Sequence, residues 1–167
     1  VPVEFEKAVR DFLKIFPKRV DEYESLLTKN PLFLDRMLGI GKLSKEVALS
    51  YGVTGPPLRA SGVDWDLRKA RPYCGYEQYD FNVPTRTEGD TYARYLVRVQ
   101  ELRESLKIVE QALNKLPLGP VRSSNRKFVT PPRSEIGVSM ESLIHHFKLW
   151  TEGFPAPKAS IYSAVES

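Results

Sequence analysis

The sequence has 167 residues, a formal net charge of +4 and a hydrophobic fraction of 41%. That is enough chain for one domain with a sizeable core. Most basic residues are interleaved with acidic ones, which argues against a nucleic-acid binder, whose cations gather on one face. One cysteine, Cys74, excludes an intrachain disulfide and a multi-thiolate metal site within one copy, and no apolar run approaches the roughly 18 residues that a membrane-spanning helix requires.

Phe5, Val9, Phe12, Leu13, Phe16, Val20, Tyr23 and Leu27 recur at helical spacing. Pro17 interrupts the stripe, at about 3 kcal/mol for the lost hydrogen bond and the clash with the preceding turn. The spacing predicts either one kinked helix over 3–28 or two helices meeting near Pro17, and the unbroken phase favours the kink. Asn30-Pro31 restarts the chain, with Leu32, Phe33, Met37 and Leu38 forming a short helical segment that Gly39 ends. From Leu43 to Tyr51, Ser44 can cap, Glu46 lies in the first turn and Gly52 can close the end, which predicts a two-turn surface helix. It is not the first half of a DNA-reading helix pair, because Thr54, Gly55, Pro56 and Pro57 stand where a recognition helix belongs.

Residues 53–89 are irregular, with Gly55, Pro56, Pro57, Gly62, Pro72, Gly75 and Pro84 setting turns, and Trp65, Tyr73, Tyr76, Tyr79 and Phe81 anchoring the loop. Alternation of Tyr79, Phe81 and Val83 predicts a short strand. The stretch 90–116 is the strongest helix of the chain. Its seam is Tyr92, Tyr95, Val99, Leu102, Leu106, Val109, Leu113 and Leu116, with Asp90 as cap and Pro117 and Gly119 as stops. Arg98–Glu101, Glu104–Lys107 and Lys107–Glu110 are placed for ion pairs outside the seam. A loop over 117–138 is basic through Arg122, Arg126, Lys127 and Arg133, as befits a solvated loop, a salt-bridged interface or a lipid-headgroup contact. Ser139 then caps a helix over 139–152 with Met140, Leu143, Ile144, Phe147 and Trp150 inward, and a strand region begins over 158–167. The whole reads as one partial domain over 1–167, mainly α: a helical bundle with long irregular segments and short strands. The start VPVEFEKAV has no initiator methionine and no signal-peptide core, and ASIYSAVES reads as a strand beginning, so a piece of a longer protein is expected.

Candidate chemistry is sparse. His145 and His146 are adjacent, so on a helix they point about 100° apart and rarely share one metal ion. There is no HExxH, no GxxxxGK[ST] and no GxSxG, and Gly39-Ile40-Gly41 is too short for a dinucleotide fingerprint. Cys74 lies between Tyr73 and Gly75 and reads as a half-buried thiol rather than a reactive one. Asp64, Asp66, Arg68, Lys69 and Arg71 form a dense charged run. Arg59 or Arg68 making a bidentate bridge to a carboxylate would pin the loop, and an internal pair, an intersubunit pair and substrate binding all stay open. Arg59, Asp64, Arg68, Lys69, Tyr73, His145 and His146 are the structural or interface candidates; no catalytic, cofactor-binding or metal-ligating residue is assigned.

The runs LTKNPLFLDRMLGIG, LRASGVDWDLRKARPYCGYEQYDFNVP, GDTYARYLVRVQELRESLKIVEQALNKLP and SMESLIHHFKLWTEGF, in this order across essentially the whole chain, resemble the 49-kilodalton, D-type subunits of NADH–quinone oxidoreductase, respiratory complex I. The resemblance implies a peripheral-arm subunit similar in fold to the large subunit of nickel–iron hydrogenases. Such a subunit has lost that enzyme's metal-binding cysteines and shapes the quinone cavity beside the terminal iron–sulfur cluster, which a neighbouring subunit ligates. It further implies NADH, FMN, iron–sulfur clusters and quinone as cofactors of the whole complex and none held by this stretch. The other peripheral-arm subunits are the implied partners, with no nucleic acid among them. The implied place is on the cytoplasmic side of a bacterial inner membrane, or the matrix side in a mitochondrion. The family's quinone-facing histidine and tyrosine precede Val1, so neither His145 nor His146 takes that role. The rival readings are the large subunit of a membrane-bound energy-converting hydrogenase and a non-enzymatic helical interaction module.

Overall fold

A computed structural model describes residues 3–166; Val1, Pro2 and Ser167, the extremes of the expected domain and of its final strand region, lie outside the described residues. The described residues divide into two compact units, one of residues 3–116 with 164–166 and one of residues 117–163.

The larger unit opens with α1 (Val3–Leu27), one helix with Pro17 inside it. α2 (Pro31–Met37) starts where expected: Asn30 caps it, accepting from the amides of Leu32 and Phe33, and Pro31 occupies the first turn, where a missing N–H costs nothing. α3 (Lys45–Ser50) begins with the Ser44 hydroxyl accepting from the Val47 amide and is followed by Gly52 at a positive φ. α4 (Gly55–Ala60) is an element that the Gly-Pro-Pro run conceals. Both prolines fall in the first turn, whose amides have no intrahelical partner in any case, so residues that read as breakers are a helix start. α5 (Leu67–Ala70) is a single turn capped by Asp66, and Tyr76–Gln78 make one 3₁₀ turn.

α6 (Thr91–Asn114) is the central rod. Asp90 caps it as expected, its carboxylate accepting from the Ala93 amide at 2.7 Å and also from the Gly39 amide at 2.7 Å. Burial opposes the charge, but those two amides outweigh it and hold the carboxyl below its usual range. On one side α6 meets α1 and α2. Thr28 and Tyr95 share a hydrogen bond, the Tyr92 hydroxyl donates to the Thr28 carbonyl, Phe33 stands edge-on to Tyr95, and Arg103 binds Asp21 and Glu24. On the other side it meets α4, where Ala60, Ala93 and Val97 form a buried apolar cluster.

The expected seam is only partly the buried surface of this helix. Val99 and Leu113 are buried and Leu106 is partly so, but Leu102 and Val109 are each 38% exposed, while Glu104, expected outside, is 3% exposed. The rod is covered along two faces rather than one. Two of the three expected surface ion pairs change accordingly: Glu104 does bind Lys107 at 2.8 Å, whereas Glu101 turns inward to Arg59 and Lys107–Glu110 does not form.

No strand occurs among the described residues. Tyr79–Val83 is extended, as its alternation implies, but its backbone amides pair with side chains of α6 instead of a neighbouring strand. The Asp80 amide donates to Gln111 at 2.9 Å and the Asn82 amide to Glu104 at 2.9 Å. The region 158–166 likewise forms no ladder.

In the smaller unit, α7 (Arg133–Ile136) packs on α8 (Met140–Thr151), which Ser139 caps through the Ser142 amide. The apolar residues expected to face inward on α8 do not: Met140, Ile144, Phe147 and Trp150 are exposed, Trp150 at 73%. A four-residue α7 is too small to cover that face.

Candidate functional site

The charged run of the middle segment folds onto one residue. Arg59 projects from α4 into the space between α6 and the loop that follows, and it is 1% exposed. Its Nε donates to Glu101 Oε1 at 2.8 Å, and one terminal nitrogen reaches the same oxygen at 2.6 Å. The other terminal nitrogen donates to Glu166 at 2.7 Å and to the Trp65 carbonyl at 3.1 Å. The planar guanidinium suits this, since its fork can satisfy several acceptors at once and keeps its charge when buried. Burial works against that charge, but the hydrogen bonds and proximity of Glu166 and Glu101 outweigh it, and the pKa of Arg59 is raised.

Asp66 forms the second node. Its side chain is fully buried, lies 3.9 Å from Arg59 and binds Arg68 through both oxygens, at 3.0 Å to Nε and 2.6 Å to a terminal nitrogen. It also caps α5 through the Arg68 amide at 2.8 Å. Burial would push its carboxyl up, but Arg68, first by hydrogen bonds and then by charge, with help from Arg59, holds it below the usual range. Arg68, raised by Asp66, lies over Phe81 at 5.0 Å and near Tyr76 at 5.9 Å. Lys69 sits 4.8 Å from the same Phe81 ring, which is itself buried. Tyr73 stands edge-on to Tyr76 and accepts the Glu166 amide at 2.9 Å.

Of the seven candidates read from sequence, Arg59, Arg68, Lys69 and Tyr73 thus gather in one cluster. Asp64 is exposed and joins no ion pair among the described residues. His145 and His146 lie in the other unit. His146 stands beside Phe147 and Trp150, and its Nδ1 is buried with no hydrogen-bond partner among the described residues. His145 lines a cleft of about 390 Å³ with Arg126, Lys127, Lys148 and Glu152. The sequence reading misses Asp66, Glu101 and Glu166 as members. Asp66 has a local signal in the Ser-Gly-Val-Asp-Trp-Asp-Leu-Arg spacing, since an aspartate one residue before a helical turn is a cap. Glu101 and Glu166 carry no local signal, standing 42 and 107 residues from Arg59.

The bonds of the cluster tie α4, α5 and Glu166 to one another and α4 to α6. Every carboxylate in it is held by a cation or an amide, and it contains no nucleophile beside a base. Among the described residues no three His, Cys, Asp or Glu are grouped to hold a metal ion, and no helix is long and apolar enough to cross a membrane.

These features define a mainly helical protein whose middle segment is pinned by buried ion pairs. The chain belongs to the family of the 49 Kd subunit of respiratory-chain NADH dehydrogenase, whose sequence profile matches residues 1–167. It is 58% identical to a D-type NADH-quinone oxidoreductase subunit from Roseiflexus castenholzii and 53% identical to one from Chloroflexus aurantiacus. In both cases the match takes in 100% of this chain and 41% of the relative. The corresponding protein of Koribacter versatilis is 51% identical over 99% of this chain and 41% of its own length. The chain therefore spans about two-fifths of the curated relatives it matches.

Proposed function

We propose that this chain is a scaffold portion of a peripheral-arm subunit of a proton-translocating NADH–quinone oxidoreductase, and that it helps shape the quinone site next to the terminal iron–sulfur cluster. The observation that carries the reading is the family match over all 167 residues, with relatives that bear the name NADH-quinone oxidoreductase. In this reading NADH, FMN, the clusters and quinone are bound elsewhere in the complex, and the cluster-ligating neighbour is one of several peripheral-arm partners. The subunit sits on the cytoplasmic side of the membrane, or the matrix side in a mitochondrion, and its complete form has a nickel–iron hydrogenase-like fold.

The part these residues play is positional. Electron transfer to a quinone depends on holding two centres at a set separation, and a site loosens when its supporting elements shift by even about 1 Å. A rod covered on two faces, with a loop fastened to it by Arg59 and Asp66, supplies that stiffness. The test is Arg59→Ala in the complete subunit within its complex. The expected result is loss of assembled subunit and a parallel loss of NADH-driven quinone reduction. Full assembly with full quinone reduction would overturn the reading.

A further inference from the structure

We propose that Glu166 is a latch that fastens residues 164–166 onto the Arg59 loop, closing after the rest of that unit has formed and opening without unfolding it. Three bonds define the latch. Glu166 Oε1 accepts from Arg59 at 2.7 Å, Oε2 accepts from the Leu67 amide at 3.0 Å, and the Glu166 amide donates to the Tyr73 hydroxyl at 2.9 Å. The carboxylate side chain is 5% exposed, so these contacts are sheltered although the residues just before it, Ala164 and Val165, are exposed.

The order of closing follows from what each partner needs. Arg59 already holds Glu101 and the Trp65 carbonyl, and Asp66 already holds Arg68 and caps α5, all within residues 59–101. Glu166 meets this surface across 107 residues of sequence, and closing a long loop costs more entropy than closing a short one, though the cost grows slowly. The network without Glu166 has two guanidinium groups and two carboxylates and is balanced; Glu166 adds a third carboxylate. Its departure therefore leaves no buried charge of either sign in excess, which is why the latch opens alone.

Amide hydrogen exchange on the complete subunit tests this, with Glu166→Ala, Glu166→Gln and Tyr73→Phe compared. Glu166→Ala is expected to speed exchange at Leu67 by about tenfold to a hundredfold, the factor for losing a hydrogen bond to a charged group, while the central amides of α6 keep their protection. Glu166→Gln, which keeps one neutral acceptor, falls in between. Tyr73→Phe speeds the Glu166 amide and leaves Leu67 nearly unchanged. Unchanged exchange at Leu67 in Glu166→Ala would overturn the latch. An equal rise at Leu67 and along α6 would also overturn it, because residues 164–166 would then be an inseparable part of the fold.

Discussion

The Arg59 region and the α8 region treat water in opposite ways. Around Arg59 the chain buries charges and backbone amides that it could have left solvated, and satisfies each with a named partner. Around α8 it leaves Phe147 and Trp150 in solvent, 58% and 73% exposed, where any ordinary core would have taken them in. The first region is specified by pairing, so it breaks when the cation its partners share, Arg59, is removed. The second has no such dependence, so its apolar face changes association rather than folding.

The sharpest way to break this contrast is Arg59→Ala, expected to lower stability by about 3–5 kcal/mol because Glu101 is left turned inward without its cation and Glu166 loses the partner that holds it. Chemical denaturation measures it, and a loss under about 1 kcal/mol would make the pairing ornamental. Gly89→Ala comes next, at about 2–4 kcal/mol. Gly89 has φ +65°, and a Cβ there would lie 2.3 Å from the Leu43 carbonyl oxygen, so the same denaturation curve should shift without a change of slope. Leu106→Ala, only partly buried, is expected to cost about 1–3 kcal/mol. Trp150→Ser should change stability by no more than about 0.5 kcal/mol yet reduce self-association in sedimentation, and the reverse pattern would erase the distinction.

Acid separates the two regions as well. Asp66, Asp90 and Glu104 have carboxyl pKa values lowered by folding. For Glu104, burial opposes ionisation, but the Asn82 amide and Lys107 prevail. A carboxyl lowered in the folded state contributes its stabilisation in full above its unfolded value, near pH 4, and loses it as pH falls through the folded value. The larger unit should therefore weaken progressively below about pH 4. Circular dichroism against pH, with Asp66→Asn as the control, checks this: the variant's acid transition should be shallower.

How far this can be read from the residues depends on the range of the signals. Ser44, Asp90 and Ser139 all cap the helices that their positions predict, because a cap acts over three residues. α4 stays hidden in the sequence because proline's meaning depends on its position in a turn, and the turn itself has to be known first. The strand expected at Tyr79–Val83 fails for a related reason: alternation predicts an extended backbone, but not that glutamate and glutamine side chains take the ladder's place. Within the cluster, Arg59, Arg68, Lys69 and Tyr73 can be singled out in and beside the dense charged run, while Glu101 and Glu166 cannot, since nothing local marks a partner so distant in sequence.

Coverage of α6 on two faces has a consequence for how this chain can change over generations. A residue inserted into a helix turns everything beyond it by about 100°. With one covered face, neighbouring hydrophobes could re-form a stripe; here Glu104 would swing away from the Asn82 amide as Val99 and Leu113 swung away from their own neighbours. Residues 91–114 should thus tolerate replacement but not a change in length, and drift in length should accumulate in the stretch after Pro117.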